Sequence, residues 1–366
     1  MHSIDVVKLT SDLVNIRSQS EYDGEAGVAK YITEYLDDLG IVSETTEFSK
    51  GRCSVTASIG KGEGLMLNGH IDTVPIGDER KWKYGTEAKA VNGKLYGRGT
   101  SDMKGGVAAI LASLPSISKS HLRRRLLLTF VADEEVSSRG SEWLIKNRPM
   151  LFNRVRYGIV AEPTDMNVQV AQKGHVVVDV TAKGLSAHGS KPELGHNAIV
   201  DMSKFIMSLG RLKFKTRDRV LGKGTVNVGR ISGGTAVNIV PDLCEISIDR
   251  RLVPGETDTI ASSQIKSILN SLGISYEIKT RGYRKPFALK PDSYIVRLLR
   301  SIVSSNLTGS TGYTEAELYN AKAGIECVVF GPGTKNIIHK PDEYVSILNL
   351  EKSKKYFSMV MQKWCI

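Results

Sequence analysis

The chain has 366 residues, of which 41% are hydrophobic and 24% charged, a length and balance that suit two globular domains, each with its own core. No apolar run approaches the roughly 20 residues that a membrane-spanning helix needs, so no membrane association of that kind is expected. The net charge of +11 invites a nucleic-acid reading, but the cations are dispersed, their longest run is Arg123-Arg124-Arg125, and no helix-turn-helix, zinc finger or aromatic stacking motif accompanies them.

The opening residues, Met1-His2-Ser3-Ile4-Asp5, lack the basic-then-apolar order of a signal peptide, and the four cysteines, Cys53, Cys244, Cys327 and Cys365, form no Cys-x-x-Cys pair. A cytoplasmic protein with reduced thiols is expected. Val28, Tyr31, Tyr35, Leu36 and Leu39 stand at helical spacing and predict a helix over 27–40, with Gly40 as its stop and the aromatic stripe as core packing. Strands are predicted over 41–48 and 53–59. A short buried strand at Leu65-Met66-Leu67 then leads to His70-Ile71-Asp72, placing both polar side chains at the rim of a sheet, where α/β proteins keep their chemistry. Residues two apart in an extended segment face one side, so the Asp72 carboxylate can reach the His70 ring nitrogen turned away from a bound metal and fix its tautomer. A satisfied histidine beside a turn aspartate is the plainer alternative. Residues 78–94 read as a loop and hairpin whose Trp82 either borders a site or packs, and the small apolar residues of 103–114 predict a helix with Asp102 just ahead of it.

Acidic residues then recur behind apolar runs. Leu126-Leu127-Leu128-Thr129-Phe130-Val131 is β-prone enough for a central strand, and it delivers Ala132-Asp133-Glu134-Glu135. Three adjacent acids repel one another, and a divalent cation is the usual means of burying such charge. The run at 157–161 ends in Glu162-Pro163-Thr164, and Cys327-Val328-Val329-Phe330 leads through Gly331-Pro332-Gly333 to His339-Lys340-Pro341-Asp342-Glu343. Each could be a solvated strand end; the repetition argues against that for the set.

The organisation changes near Lys173. Residues 175–181 alternate as a strand with one buried face, and Ile199, Met202, Phe205, Ile206 and Leu209 form a helical stripe. Strands over 224–231 and 243–252, a helix over 258–272 and a strand over 274–279 complete the order β-α-β-β-α-β, a ferredoxin-like signature. It fits an inserted α+β domain over 174–284, with 1–173 and 285–366 forming one discontinuous domain; that second part is expected to carry a helix over 292–303 and a closing helix over 348–364.

Taken together, His70-Ile71-Asp72-Thr73-Val74-Pro75, the glycine-rich segment from Gly97-Arg98-Gly99 through Asp102-Met103-Lys104-Gly105-Gly106, Glu134-Glu135, Glu162-Pro163-Thr164 and the His339 to Glu343 segment resemble the co-catalytic zinc hydrolases. That family includes acetylornithine deacetylase, succinyl-diaminopimelate desuccinylase, aminoacylase and carboxypeptidase G. The resemblance covers almost the whole chain in the right order. It implies an α/β catalytic domain with a mixed central sheet flanked by helices, and a role for the inserted domain as lid and dimerisation domain. It implies two divalent ions, most readily zinc with cobalt or manganese as alternatives. By the same resemblance, His70 and Glu162 hold one ion, Glu135 and His339 the other, and Asp102 bridges them ahead of a cis peptide. Glu134 is then the general base, expected to face away from Glu135 in an extended segment. Asp72 supports His70, and Asp133 receives no role beyond scaffold.

The resemblance also implies substrate contacts. Ser186-Ala187-His188 matches a motif whose histidine stabilises the tetrahedral oxyanion, often in the partner subunit's site. The Gly233-Gly234 to Asn238-Ile239-Val240-Pro241 segment matches one whose asparagine meets substrate. In Asp249-Arg250-Arg251, alternation puts Arg251 on the face of Asp249 and selects it for the substrate carboxylate, with a salt-bridged surface arginine as the alternative. Thr314-Glu315-Ala316 resembles the acetylornithine deacetylase version of the remaining contact, through Thr314. The expected protein is a homodimeric N-acyl amino acid amidohydrolase; the alternative is a metallocarboxypeptidase or dipeptidase of the same family acting on short peptides.

Overall fold

The apolar runs that end in acids become neighbouring parallel strands, which is why their ends converge. The computed structural model describes residues 4–117 and 122–366. The chain divides into two compact units: unit 1 comprises 1–170, 289–308 and 314–366, and unit 2 comprises 171–288 and 309–313. Relative to the expected span of 174–284, unit 2 extends to 171–288 and takes in the short segment 309–313, within which the Ser310 carbonyl accepts the Lys173 backbone N–H at 2.9 Å.

Unit 1 begins with helices α1 (Val6–Asn15) and α2 (Ala26–Asp38), the first capped by Asp5, whose carboxylate accepts the backbone N–H groups of Val7 and Lys8. Strands β1 (Ser43–Ser49), β2 (Arg52–Ile59) and β3 (Gly64–His70) follow, then the short hairpin β4 (Lys89–Val91) and β5 (Lys94–Tyr96). After helix α3 (Gly105–Ser113) come β6 (Arg125–Val131), α4 (Arg139–Asn147), β7 (Val155–Val160) and β8 (Val168–Gln172). Every residue of β3 is buried, as a strand with elements on both faces requires.

Unit 2 holds β9 (Gly174–Lys183), α5 (Ala198–Leu209), β10 (Thr225–Gly233), β11 (Leu243–Leu252), α6 (Asp258–Ser271) and β12 (Ser275–Arg284). Its four strands form an antiparallel sheet in the order β10-β11-β9-β12, the arrangement of a ferredoxin-like fold. Burial alternates strictly along β9, and Val176, Val178 and Val180 pack with Phe205 and Ile265 of the two helices in one core.

The chain returns to unit 1 with α7 (Tyr294–Arg300), β13 (Glu326–Val329), β14 (Tyr344–Ser346) and α8 (Ile347–Cys365). The main sheet runs β1-β2-β6-β3-β7-β13-β8, with β6, β3, β7 and β13 parallel and the flanking strands antiparallel. It is a mixed α/β sheet flanked by helices. Helix α3 lies close against the end of β7: a Cβ on Gly106 would sit 2.2 Å from the Ala161 carbonyl oxygen, so only glycine fits. Pairing of β14 with β5 and β5 with β4 makes a separate three-stranded sheet. Among the described residues no helix is long and apolar enough to cross a membrane.

Candidate active site

Three parallel strands deliver their acids and histidine at one rim. His70 closes β3 and pairs in register with Val131, the last residue of β6, while Glu162 lies two residues beyond β7. His70 is buried; its Nε2 stands 3.2 Å from Asp102 Oδ1 and 4.0 Å from Glu162 Oε1. The other ring nitrogen, Nδ1, lies 3.1 Å from the Asp72 carbonyl oxygen and 3.5 Å from its carboxylate. Asp72 therefore does turn toward the back of the ring, with its main chain as the nearer acceptor.

Asp72 has a larger task than the sequence suggested. Its Oδ1 accepts the backbone N–H of Glu134 at 3.1 Å, and Oδ2 accepts that of Glu135 at 3.1 Å and the Ser20 hydroxyl at 2.6 Å. One buried carboxylate thus orients a histidine and the backbone of two glutamates. The segment carrying those glutamates is a tight turn, not the extended strand end expected. Asp133 takes a φ of +65°, and its carbonyl accepts the N–H groups of Ser137 and Ser138. The alternation argument for Glu134 fails with the premise, because the pull of Asp72 and the closed turn override local strand preference. Asp133 locks this turn: its carboxylate meets Arg52 at 2.8 Å and accepts the Ser137 hydroxyl at 2.6 Å, and Arg52 also grips buried Glu25.

Asp102 lies in the bend before α3, followed by a cis peptide to Met103. Its two oxygens face opposite ways: Oδ1 meets His70, and Oδ2 lies 3.2 Å from His339 Nε2. His339 Nε2 is also 3.0 Å from Glu135 Oε2. Two triads result, His70-Asp102-Glu162 and Asp102-Glu135-His339, each with ligand atoms within 4.8 Å of one another and with Asp102 common to both.

The electrostatics are those of a crowded anionic site. Burial pushes Glu134 well above the usual carboxylate range, reinforced by Glu135, Glu315 and Asp72. Glu162 is raised likewise by burial and by Asp102. Burial also opposes ionisation of Asp102, but His339 and His70 override it and hold that carboxyl below its ordinary value. The hydrogen bonds to Asp102 and Glu135 lift His339 to about 10. Glu135 Oε1 is buried without a hydrogen-bond partner. A divalent cation in the Asp102-Glu135-His339 triad would complete that oxygen, one in each triad would offset the mutual repulsion, and an N/O donor set of this kind fits zinc, cobalt or manganese.

The remaining expected contacts divide between the units. Thr314 is buried in unit 1 ahead of a short helical turn, where its carbonyl accepts the Glu317 N–H. His188 and Asn238 lie in unit 2, joined by a bridge in which Gly189 N–H donates to the Asn238 carbonyl at 2.7 Å. His188 is exposed, and its Nδ1 accepts the Ser190 N–H at 3.1 Å, which leaves the proton on Nε2. Arg251 stands near the far end of β11, in a two-pronged ion pair with Asp249 at 2.9 and 3.0 Å. Trp82 packs: its indole N–H donates to the Ile76 carbonyl, and the Arg98 guanidinium lies over its ring. Ser20, Glu25 and Arg52 were not singled out in the sequence, since each acts through a partner at least 27 positions away.

A mixed sheet at whose rim parallel strand ends and two loops gather two histidines and two glutamates around a shared aspartate defines a hydrolase with a candidate two-ion centre. Comparison with known proteins gives the family. Residues 66–363 match the model of peptidase family M20/M25/M40, and the chain belongs to it as a hydrolytic enzyme. It is 29% identical to an acetylornithine deacetylase of Aliivibrio fischeri, over 98% of this chain and 96% of that protein. It is 27% identical to a probable succinyl-diaminopimelate desuccinylase of Staphylococcus aureus, over 97% and 98%. The fold matches that of aminopeptidase PepT from Bacillus cereus with a TM-score of 0.83, 20% identity and 98% of each chain covered.

Proposed function

We propose that the enzyme hydrolyses the amide bond of N-acyl amino acids, with His70, Asp102 and Glu162 holding one divalent ion and Asp102, Glu135 and His339 the other, zinc being the best match. The observation that carries this is the Asp102 carboxylate, whose two oxygens address different histidines and thereby join the triads. Ions bound there supply positive charge that polarises the amide carbonyl and acidifies water. Glu134 takes a proton from the attacking water as the carbon–oxygen bond forms, and returns it to the departing amine as the carbon–nitrogen bond breaks. Asp72 holds Glu134 in place through its backbone. Thr314-Glu315-Ala316 and the Aliivibrio fischeri relative both favour a small acyl group such as acetyl.

His188 Nε2 donates to the oxyanion, Asn238 meets substrate beside it, and Arg251 pairs with the substrate carboxylate. The spacing within unit 2 supports a homodimer through this unit, acting as a lid. His188 and Asn238 sit beyond the Leu243 end of β11, whereas Arg251 lies eight residues along that strand, about 26 Å at the rise of an extended chain. No small amino acid derivative spans that gap, so one group serves the partner's substrate. Four free cysteines, all buried, suit a reducing cytoplasm.

The test is a panel of N-acetylornithine, N-succinyl-diaminopimelate and dipeptides, assayed at equal concentration with zinc, cobalt or manganese. The highest kcat/KM is expected on N-acetylornithine. Turnover of the dipeptides alone would refute the deacylase reading and establish a peptidase.

A further inference from the structure

His339 has little local reason to stay where it is. It lies in a loop outside any strand or long helix, at a φ of +61° and with about half its side chain exposed, 49%. Four residues later, Glu343 is fully buried. Its Oε1 accepts three backbone N–H groups, those of Gly99 at 3.1 Å, Ser101 at 3.0 Å and Asp102 at 3.0 Å. Neighbouring N–H groups converging on one oxygen form an anion-binding concavity, here filled by a carboxylate from the chain itself, while the intervening Thr100 N–H turns back to the Gly97 carbonyl. Gly99 makes the concavity possible: its φ is +88°, and a Cβ there would approach Thr73 Cγ2 to 2.8 Å. The other oxygen, Oε2, accepts from the Arg98 guanidinium, which also donates to the Pro75 carbonyl and covers Trp82.

The neighbouring backbone repeats the tie. Gly97 N–H donates to the Glu343 carbonyl at 2.9 Å, and the pairing of Tyr344 with Tyr96 continues it into β14 and β5. The small three-stranded sheet therefore serves to bring the His339 loop and the Asp102 loop into fixed register.

We infer that Glu343, clasped by Arg98, is a positioning residue that sets Asp102 and His339 against each other and so fixes the geometry of the second ion position. This rests on the two-ion reading. Glu343 touches neither ion nor substrate; it acts through the backbone of Asp102 and through the loop that carries His339. The Glu343 carboxyl offers one oxygen to three backbone donors and the other to Arg98, whereas an amide in its place keeps a single acceptor oxygen and turns an NH₂ group on the other partner.

The experiment compares Glu343→Gln with Glu256→Gln, which neutralises an equally buried, arginine-paired carboxylate in unit 2, where Glu256 meets Arg250. Metal-free protein is titrated with zinc by calorimetry, and thermal unfolding of the metal-free forms is measured alongside. Wild type and Glu256→Gln are expected to take up two ions with matching affinities. In Glu343→Gln the weaker of the two affinities falls roughly 10- to 100-fold, beyond any change common to both variants in unfolding temperature. Glu343→Asp, which keeps the carboxyl but shortens its reach, should show a smaller loss of the same kind, and it replaces Glu343→Gln if that variant does not fold. Unchanged zinc affinity in the Glu343 variants, with only their stability lowered, overturns the inference. Failure of wild type itself to bind two zinc ions overturns instead the reading on which it rests.

Discussion

Asp72 in unit 1 and His188 in unit 2 both lie just past a strand, and both were expected at the site, yet they are held in opposite ways. Asp72 is fully buried and takes three hydrogen bonds on its carboxylate, from the backbone of Glu134 and Glu135 and from the Ser20 hydroxyl. His188 is exposed, steadied on one nitrogen by Ser190. The same contrast holds for Asp102, gripped through its backbone N–H by Glu343, against exposed Asn238. Side chains that must keep several like charges together need a rigid, over-determined frame, because small displacements change strong short-range electrostatics. Donors that meet an incoming substrate can remain open, since the contact forms only with the substrate or a partner in place.

Breaking the buried side should have the largest effect. Glu134→Gln removes the proposed base while preserving shape and the Glu134 N–H contact to Asp72, so kcat should fall by roughly 10²- to 10⁴-fold with bound metal unchanged. Elemental analysis beside steady-state kinetics checks both halves, and near-wild-type turnover would remove Glu134 from its role. On the open side, His188→Ala should lower kcat by roughly 10²- to 10³-fold, the usual cost of one oxyanion donor, again with metal content intact. Mixing the two impaired variants sharpens the comparison. If His188 serves the partner subunit, a mixed dimer contains one site with both an intact Glu134 and an intact His188, and activity returns. If His188 serves its own subunit, every site in the mixed dimer lacks one of the two, and activity stays at the residual level of the separate variants.

Much of the frame was legible because it obeys periodicity. The runs at 65–67, 126–131 and 157–161 read as buried strands since parallel strands covered on both faces carry no polar alternation. The elements of unit 2 were equally readable: β11 was expected over 243–252 and spans Leu243–Leu252, and β9 shows the one-face alternation of a sheet with helices on one side. The turn at Asp133 to Ser138 was not readable. Three consecutive acids have no apolar period, and their conformation answers to Asp72, some sixty positions earlier. Glu343 stood in the quoted motif without a role, because its partners at Gly99, Ser101 and Asp102 lie more than 240 positions away and are backbone donors, which no side-chain pattern announces.

The smallest effect is expected where polar contacts only decorate a surface. On the solvent side of the unit 2 sheet, Asp179 accepts from Arg281 Nε at 2.7 Å and from the Ser247 hydroxyl at 2.6 Å, and the hydrogen bond from Arg281 holds its carboxyl below the usual aspartate range. A carboxyl depressed in the folded state adds stability above its unfolded pKa, and that contribution disappears as the pH falls through the folded value. Because the pair is a third exposed or more, 33% and 63%, solvent screening keeps the gain small. Asp179→Asn should therefore cost no more than about 1 kcal/mol at pH 7, and the difference from wild type should shrink toward zero as the pH drops below about 4. Denaturant unfolding of both proteins in a chelator at pH 7 and at pH 3 measures this without interference from metal loss. A cost that did not shrink between pH 7 and pH 3 would mean that Asp179 supports the sheet through its shape, and the contrast between a framed site and a decorated surface would have to be redrawn.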